Sequence, residues 1–246
     1  MSNLRAATIA LGAFALVATA PDASVAGPVP MAGVAFVSCS SDGQLGPQEG
    51  IRDIGPAHRA PKAVASELAY YASADLAVLA PKGWHCFGLY GSNGASLFVT
   101  PEIHGSADLL QAHKPLTGPA VEVSFSWSST AGRSEVAKVI GRLFPSERKF
   151  VDDVIAAGTD PKENYPLGPY PGDTLTYRSS TDVMFVTPAG SDGMGTARRL
   201  AKNGDPISGE ARLSPENDAT VIDVRLPKAM LQLVPTILSS PGPSTP

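Results

Sequence analysis

Over residues 120–128 apolar and polar side chains alternate: Val121, Val123, Phe125 and Trp127 take one side, and Glu122, Ser124, Ser126 and Ser128 the other. That period of two predicts a strand with one face inside and one face outside. Strands are also predicted at 34–39, 85–90 and 95–100. The last two flank Gly91-Ser92-Asn93-Gly94, where Asn-Gly marks a hairpin turn. Further strands are predicted at 174–178, 183–187, 211–213 and 220–226.

A helical period replaces the alternation elsewhere. Over 134–144, Val136, Val139, Ile140 and Leu143 share one side, with Ser134 as a cap. A second helix over 147–157 carries Phe150, Val151, Val154 and Ile155 and stops at Gly158, leaving Asp152 and Asp153 on an exposed face. Ala63, Leu68 and Tyr71, with Glu67 between them, predict a helix over 62–73 entered through Pro61. Short helices are expected at 105–113 and, after Pro227, near 228–233. Residues 40–61 read as ordered loop, 27–33 as a linker, and 239–246 as a disordered tail. The fold expected is α+β: an antiparallel, hairpin-rich sheet with three or four helices packed to one side, forming a single globular domain over 34–238.

Residues 89–101 (LYGSNGASLFVTP) align without a gap on 176–188 (TYRSSTDVMFVTP), sharing Tyr90/Tyr177, Ser92/Ser179 and the run Phe98–Pro101/Phe185–Pro188. One reading is an internal duplication giving two pseudo-repeated halves. The other is convergence, since hairpins favour aromatic and β-branched residues in any case.

The N-terminus adds a compartment. Arg5 precedes an apolar run over 6–18, and small residues follow. This is the pattern of a secretory signal peptide spanning 1–26. Cleavage after Ala20 would place Pro21 first. Cleavage after Ala26, with Ser24 and Ala26 at the specificity positions, is preferred. An uncleaved anchor is the alternative, but the run is short for a bilayer core of roughly 30 Å. The expected location is periplasmic or secreted, with no stable membrane insertion after cleavage.

The two cysteines, Cys39 and Cys86, suit an oxidising compartment and are expected to pair. The competing reading makes Cys86 a thiolate beside His85. Adjacent strand residues point to opposite faces, so His85 is badly placed to activate it.

Composition narrows the partners. A net charge of −4 with mixed signs supplies no basic stripe for nucleic acid. Charged residues are only 17 %, and 24 glycines with 23 prolines favour tight turns.

No catalytic or metal motif emerges. The histidines, His58, His85, His104 and His113, match no zinc spacing, and Glu102 with His104 supplies two ligands at most. There is no Gly-x-Ser-x-Gly elbow, and Gly190, Gly193 and Gly195 do not make a phosphate loop. No cofactor is expected. Trp84, His85, Phe87 and Tyr90 form a candidate recognition patch for a glycan or protein, against the plainer reading of packing around the disulfide.

At Ala80-Pro81-Lys82-Gly83-Trp84-His85-Cys86-Phe87-Gly88-Leu89-Tyr90-Gly91-Ser92, and again at Val224-Arg225-Leu226-Pro227, the chain resembles a group of uncharacterised exported bacterial proteins. The resemblance implies a secreted or periplasmic setting and carries no known activity. The function expected is a non-catalytic envelope or secreted protein that binds a small ligand or an envelope protein. A secreted hydrolase with a scattered active site is the alternative.

Overall fold

The computed structural model describes residues 29–53, 58–129, 131–240 and 242–243. The signal-peptide reading of 1–26 and its cleavage site lie outside these residues. In chain order the strands are β1 (Met31–Gly33), β2 (Ala35–Ser38), β3 (Ser41–Gly43), β4 (Arg59–Pro61), β5 (Leu68–Ala72), β6 (Leu76–Pro81) and β7 (His85–Gly91). They continue as β8 (Gly94–Thr100), β9 (Ala120–Ser126), β10 (Thr174–Tyr177), β11 (Asp182–Thr187), β12 (Ile207–Leu213), β13 (Ala219–Arg225) and β14 (Gly242–Pro243). The α-helices are α1 (Arg133–Leu143), α2 (Arg148–Ala156) and α3 (Val234–Leu238), with a π-turn at Ala107–Gln111.

The fold is mixed α+β around a large, mostly antiparallel sheet of eight strands in the order β10-β11-β12-β13-β9-β8-β7-β3. Only β3 and β7 run parallel within it. A four-stranded sheet, β14-β6-β5-β2, covers one face. Between the two sheets lies a core that includes Leu76, Val78, Leu97, Val99, Val123 and Ile222, closed at one side by Ile237 and Leu238 of α3. On the opposite face α1 and α2 pack Val136, Ile140, Leu143 and Val151 against Val183, Phe185, Ala211 and Val221. The helices therefore sit on both faces of the large sheet rather than on one, because β11, β12 and β13 also carry apolar side chains (Val183, Phe185, Ala211, Val221) on the face away from the small sheet.

One predicted helix is a hairpin instead. Residues 62–73 form a short 3-10 turn at Ala65–Glu67 and then β5, which pairs with a strand the periodicity missed, β6. Leu68–Ala72 and Leu76–Pro81 are buried along nearly their whole length. A short apolar run buried on both sides has no polar side to betray its period, so helix and strand read alike. The supposed linker also has structure, with β1 pairing β4. In the segment expected to be a disordered tail, Ser240 is buried and its Oγ accepts from Leu79 N–H at 3.0 Å. Gly242–Pro243 pairs with Leu76 and Ala77.

Both similar segments form antiparallel pairs, β7–β8 and β10–β11. Their registers differ by one residue: Tyr90 faces Ala95, whereas Tyr177 faces Val183, which aligns with Ser96. Phe98 and Phe185 nevertheless fall in one cross-strand row, Phe98–Glu122–Asp223–Gly209–Phe185. Gly209 is required there, since a Cβ would fall inside the Phe185 ring. Gly209→Ala is expected to lower stability by about 1–3 kcal/mol through displacement of that ring. An unchanged urea midpoint would show that the ring does not rest on Gly209.

Candidate functional site

The face of the large sheet that carries α1 is not fully covered. A cleft of about 550 Å³ opens over β8, β9 and β13, with Ser96, Ser124, Ser126 and Val221 among the residues of its floor. One wall is α1, with Glu135, Lys138, Val139 and Arg142; the other includes Leu110 and the segment from Met194 to Arg199. Its volume falls in the range of small-molecule sites, about 300–1,000 Å³.

The polar side of β9, expected to face water, is this floor. Ser124 is 8 % exposed and Glu122 1 % exposed. The Ser96 and Ser126 hydroxyls have no protein partner among the described residues, and Ser124 Oγ makes only a long bond, 3.5 Å, to Val221 O.

At the deep end two carboxyl groups meet. Glu122 on β9 lies directly opposite Asp223 on β13, so their Cβ atoms are about 4.5–5.5 Å apart. Asp223 is wholly buried and receives Arg198 Nε at 3.0 Å and Nη2 at 2.6 Å, both on Oδ2. Its Oδ1 is buried without a partner. Glu122 Oε2 accepts only a 3.3 Å bond from the Arg199 amide.

Burial first, and the negative Asp223 second, raise the Glu122 carboxyl to about 7. Burial also raises Asp223, to about 6, against the pull of Arg198. Arg198 gives both of its bonds to Asp223, whereas Glu122 receives only a backbone amide and the more distant charges of Arg198 and Arg199. The pair's proton therefore resides on Glu122.

Three anchors place Arg198 and Arg199 over the sheet. Asp173 accepts from Met194 N–H at 2.8 Å and from Thr187 Oγ1 at 2.8 Å. Leu116 N–H donates to Arg199 O, and Ala201 N–H to Leu116 O. Arg225, fully buried at the end of β13, donates to the carbonyls of Leu116, Gly118 and Ala201 and so ties the two loops together. Opposite, the Arg142 guanidinium lies 4.0 Å over the Tyr170 ring and donates to Gly168 O.

Of the residues singled out from the sequence for chemistry or recognition, Tyr90 borders the cleft and the others lie elsewhere. Cys39 and Cys86 form a disulfide with Cα atoms 5.4 Å apart, so Cys86 offers no thiol. The bridge joins the chain just after β2, in the small sheet, to β7, in the large one. The recognition patch is divided by strand alternation. Trp84 and Tyr90 pack against the core between the sheets, while Phe87 packs beside Phe98 and Leu109 on the other face. His85 is exposed.

The other histidines are dispersed. His58 stacks on Tyr70 at 3.8 Å, and His113 meets Arg199 at 3.1 Å. His104 and Glu102 line a separate cavity of about 260 Å³. No group of three His, Cys, Asp or Glu side chains among the described residues is arranged to hold a metal. Asp152 and Asp153 make surface ion pairs with Arg148 and Lys149, as an exposed helix face implies. Ser134 does not cap α1; its hydroxyl donates to Asp160 at 2.8 Å.

No family model, curated protein or solved structure matches the chain. Among the described residues no helix is long and apolar enough to cross a membrane.

Proposed function

We propose that this chain is an exported, non-catalytic binding protein that holds a small ligand in the cleft between α1 and the Met194–Arg199 segment. The observation that carries this reading is a polar floor left uncovered inside a well-packed domain, with the Ser96 and Ser126 hydroxyls lacking protein partners. Sheet faces under helices are ordinarily closed by apolar side chains, and polar ones left open there favour a ligand that hydrogen-bonds to them. Export is supported by the N-terminal apolar run and by the Cys39–Cys86 disulfide, which suits an oxidising compartment. The resemblance to uncharacterised exported bacterial proteins belongs to the same proposal. So does descent of the two similar hairpins from one unit.

Native mass spectrometry on protein exported by a bacterial host tests it. The native mass is expected to exceed the denatured mass by one small molecule, and Ser96→Trp, which fills the floor, is expected to lose that excess. A bare native mass, unchanged on adding small-molecule mixtures, would sink the binding reading. The rival is a secreted hydrolase, favoured by one observation: two carboxyl groups, Glu122 and Asp223, face each other across a strand pair with burial raising both, and unequal carboxyl pairs are what general acid catalysis uses. Turnover of ester or glycoside substrates that Glu122→Gln abolishes would establish the rival instead.

A further inference from the structure

We propose that the cleft takes a small organic carboxylate with an apolar body, and that it binds this anion together with a proton held at Glu122. The inference rests on the binding reading above and adds the ligand's class and its coupling to pH.

Charge decides against a cation. The side chains lining the cleft include Lys138, Arg142, Arg198 and Arg199 against Glu122 and Glu135. Lys138 is matched by Glu135 at 2.7 Å and Arg198 by Asp223 behind the floor. Arg142 and Arg199 remain against Glu122 alone, and when Glu122 is neutral they remain against nothing. An entering ammonium group would meet this surplus of positive charge; a carboxylate would neutralise it.

Donors decide the kind of anion contact. A guanidinium has five N–H groups and accepts nothing. Arg198 spends Nε and Nη2 on Asp223, Arg142 spends Nη1 on Gly168 O, and Arg199 spends Nη2 on Leu109 O. Arg198 Nη1, Arg142 Nε and Nη2, and Arg199 Nε and Nη1 have no protein acceptor among the described residues. Two paired N–H groups on one guanidinium match the two oxygens of a carboxylate. The apolar body follows from Leu89, Phe98, Leu110, Val139 and Met194, which line the same space.

The proton follows from what faces Glu122. Asp223 comes from β13, with Asp173 behind it, and Arg198 and Arg199 come from the opposite segment. A bound anion adds negative charge beside a carboxyl already crowded by Asp223, so the complex is compatible only with a neutral Glu122. That neutral carboxyl also supplies an O–H where Asp223 Oδ1 lies unpartnered across the strand pair. Below about pH 6 Glu122 is already protonated and binding takes up no proton. Above about pH 7 each complex takes one from solution, so affinity falls towards tenfold per pH unit.

Benzoate, benzamide and benzylamine titrated into the protein at pH 6 and pH 8, followed by amide NMR shifts and calorimetry, test this. Benzoate stays ionised across that range. It is expected to bind tightest, to shift amides of β8, β9 and 194–199, and to lose about tenfold or more in affinity from pH 6 to pH 8. Calorimetry in two buffers at pH 8 should read uptake of close to one proton, a result that needs no variant. Glu122→Gln should bind benzoate equally at both pH values. Benzamide or benzylamine binding in the cleft as tightly as benzoate would overturn the ligand class and leave the binding reading standing. Benzoate affinity that does not change with pH would overturn the proton coupling. If none of the three shifts the cleft amides the inference falls, and a bare native mass would then take the binding reading with it.

Discussion

Cys39→Ala/Cys86→Ala is expected to melt about 10 °C below the wild type. The cysteines are 47 residues apart, and in the chain-entropy account a loop of that length restrains the unfolded chain by about 4 kcal/mol. For a domain of this size each kcal/mol moves the midpoint by about 2–4 °C. The bridge also spans the crossover where the chain leaves β2 in the small sheet and enters β3 at the edge of the large one. Its loss frees the junction between the two sheets as well as the loop between the cysteines. Alanine is the proper replacement at Cys39, which is 1 % exposed, because a serine hydroxyl there would be buried. Scanning calorimetry on the variant, and on wild type with and without reductant, checks the expectation. A shift of less than 2–3 °C would mean that the packing between the sheets already restrains this junction.

Arg198→Met is expected to cost about 3–5 kcal/mol at pH 8 and much less at pH 5. Removing one partner of a buried ion pair leaves the other charge uncompensated, which is where that magnitude arises. Asp223 is 0 % exposed and its second oxygen is already without a partner, so no other group in the described structure takes over from Arg198. At pH 5 a deserted Asp223 takes up a proton and most of the penalty disappears. The wild type should show a milder trend of the same sign. Both carboxyls are raised in the folded state, Glu122 from 4.5 to about 7 and Asp223 from 3.8 to about 6. The folded chain then holds more protons than the unfolded one between those values. Their contribution is fully present below about pH 4 and is lost as pH rises through 6 and 7. Urea midpoints at pH 5 and pH 8 for both proteins measure this. An Arg198→Met penalty equal at the two pH values would show that Asp223 is not the charge Arg198 neutralises.

Glu122 stood in the sequence as part of a polar stripe with three serines, and an alternating strand was read as having one wet face. The signal against that reading was present in Val221-Ile222-Asp223-Val224, where a charged residue interrupts an apolar run in a predicted strand. Two strands each carrying an acid at a central position are a pairing hypothesis, but which acids meet depends on strand order. β9 and β13 lie nearly a hundred residues apart, and no local pattern states that they are neighbours. Arg198 and Arg199 were silent for the same reason: their loop has no period, and Arg225, Asp173 and Leu116 hold it in place from three other parts of the chain.

Local chemistry determined the elements in which neighbouring residues settle the matter. These are the β7–β8 hairpin around Asn93-Gly94, the alternating strand β9, the amphipathic helices α1 and α2, and the pairing of the only two cysteines. Each rests on a period or a turn residue acting within a few positions, or on there being a single pairing to choose. Tertiary structure alone decided the rest. It made a strand of Leu68–Ala72, because a segment buried on both sides shows no amphipathic period. It divided the aromatic patch around Cys86 between two faces of one strand. It also turned the polar side of β9 from a presumed solvent face into the floor of a cleft. Long-range strand order, not sequence spacing, brings Glu122 to Asp223 there, and in that dry setting only Asp223 is directly bonded to a guanidinium.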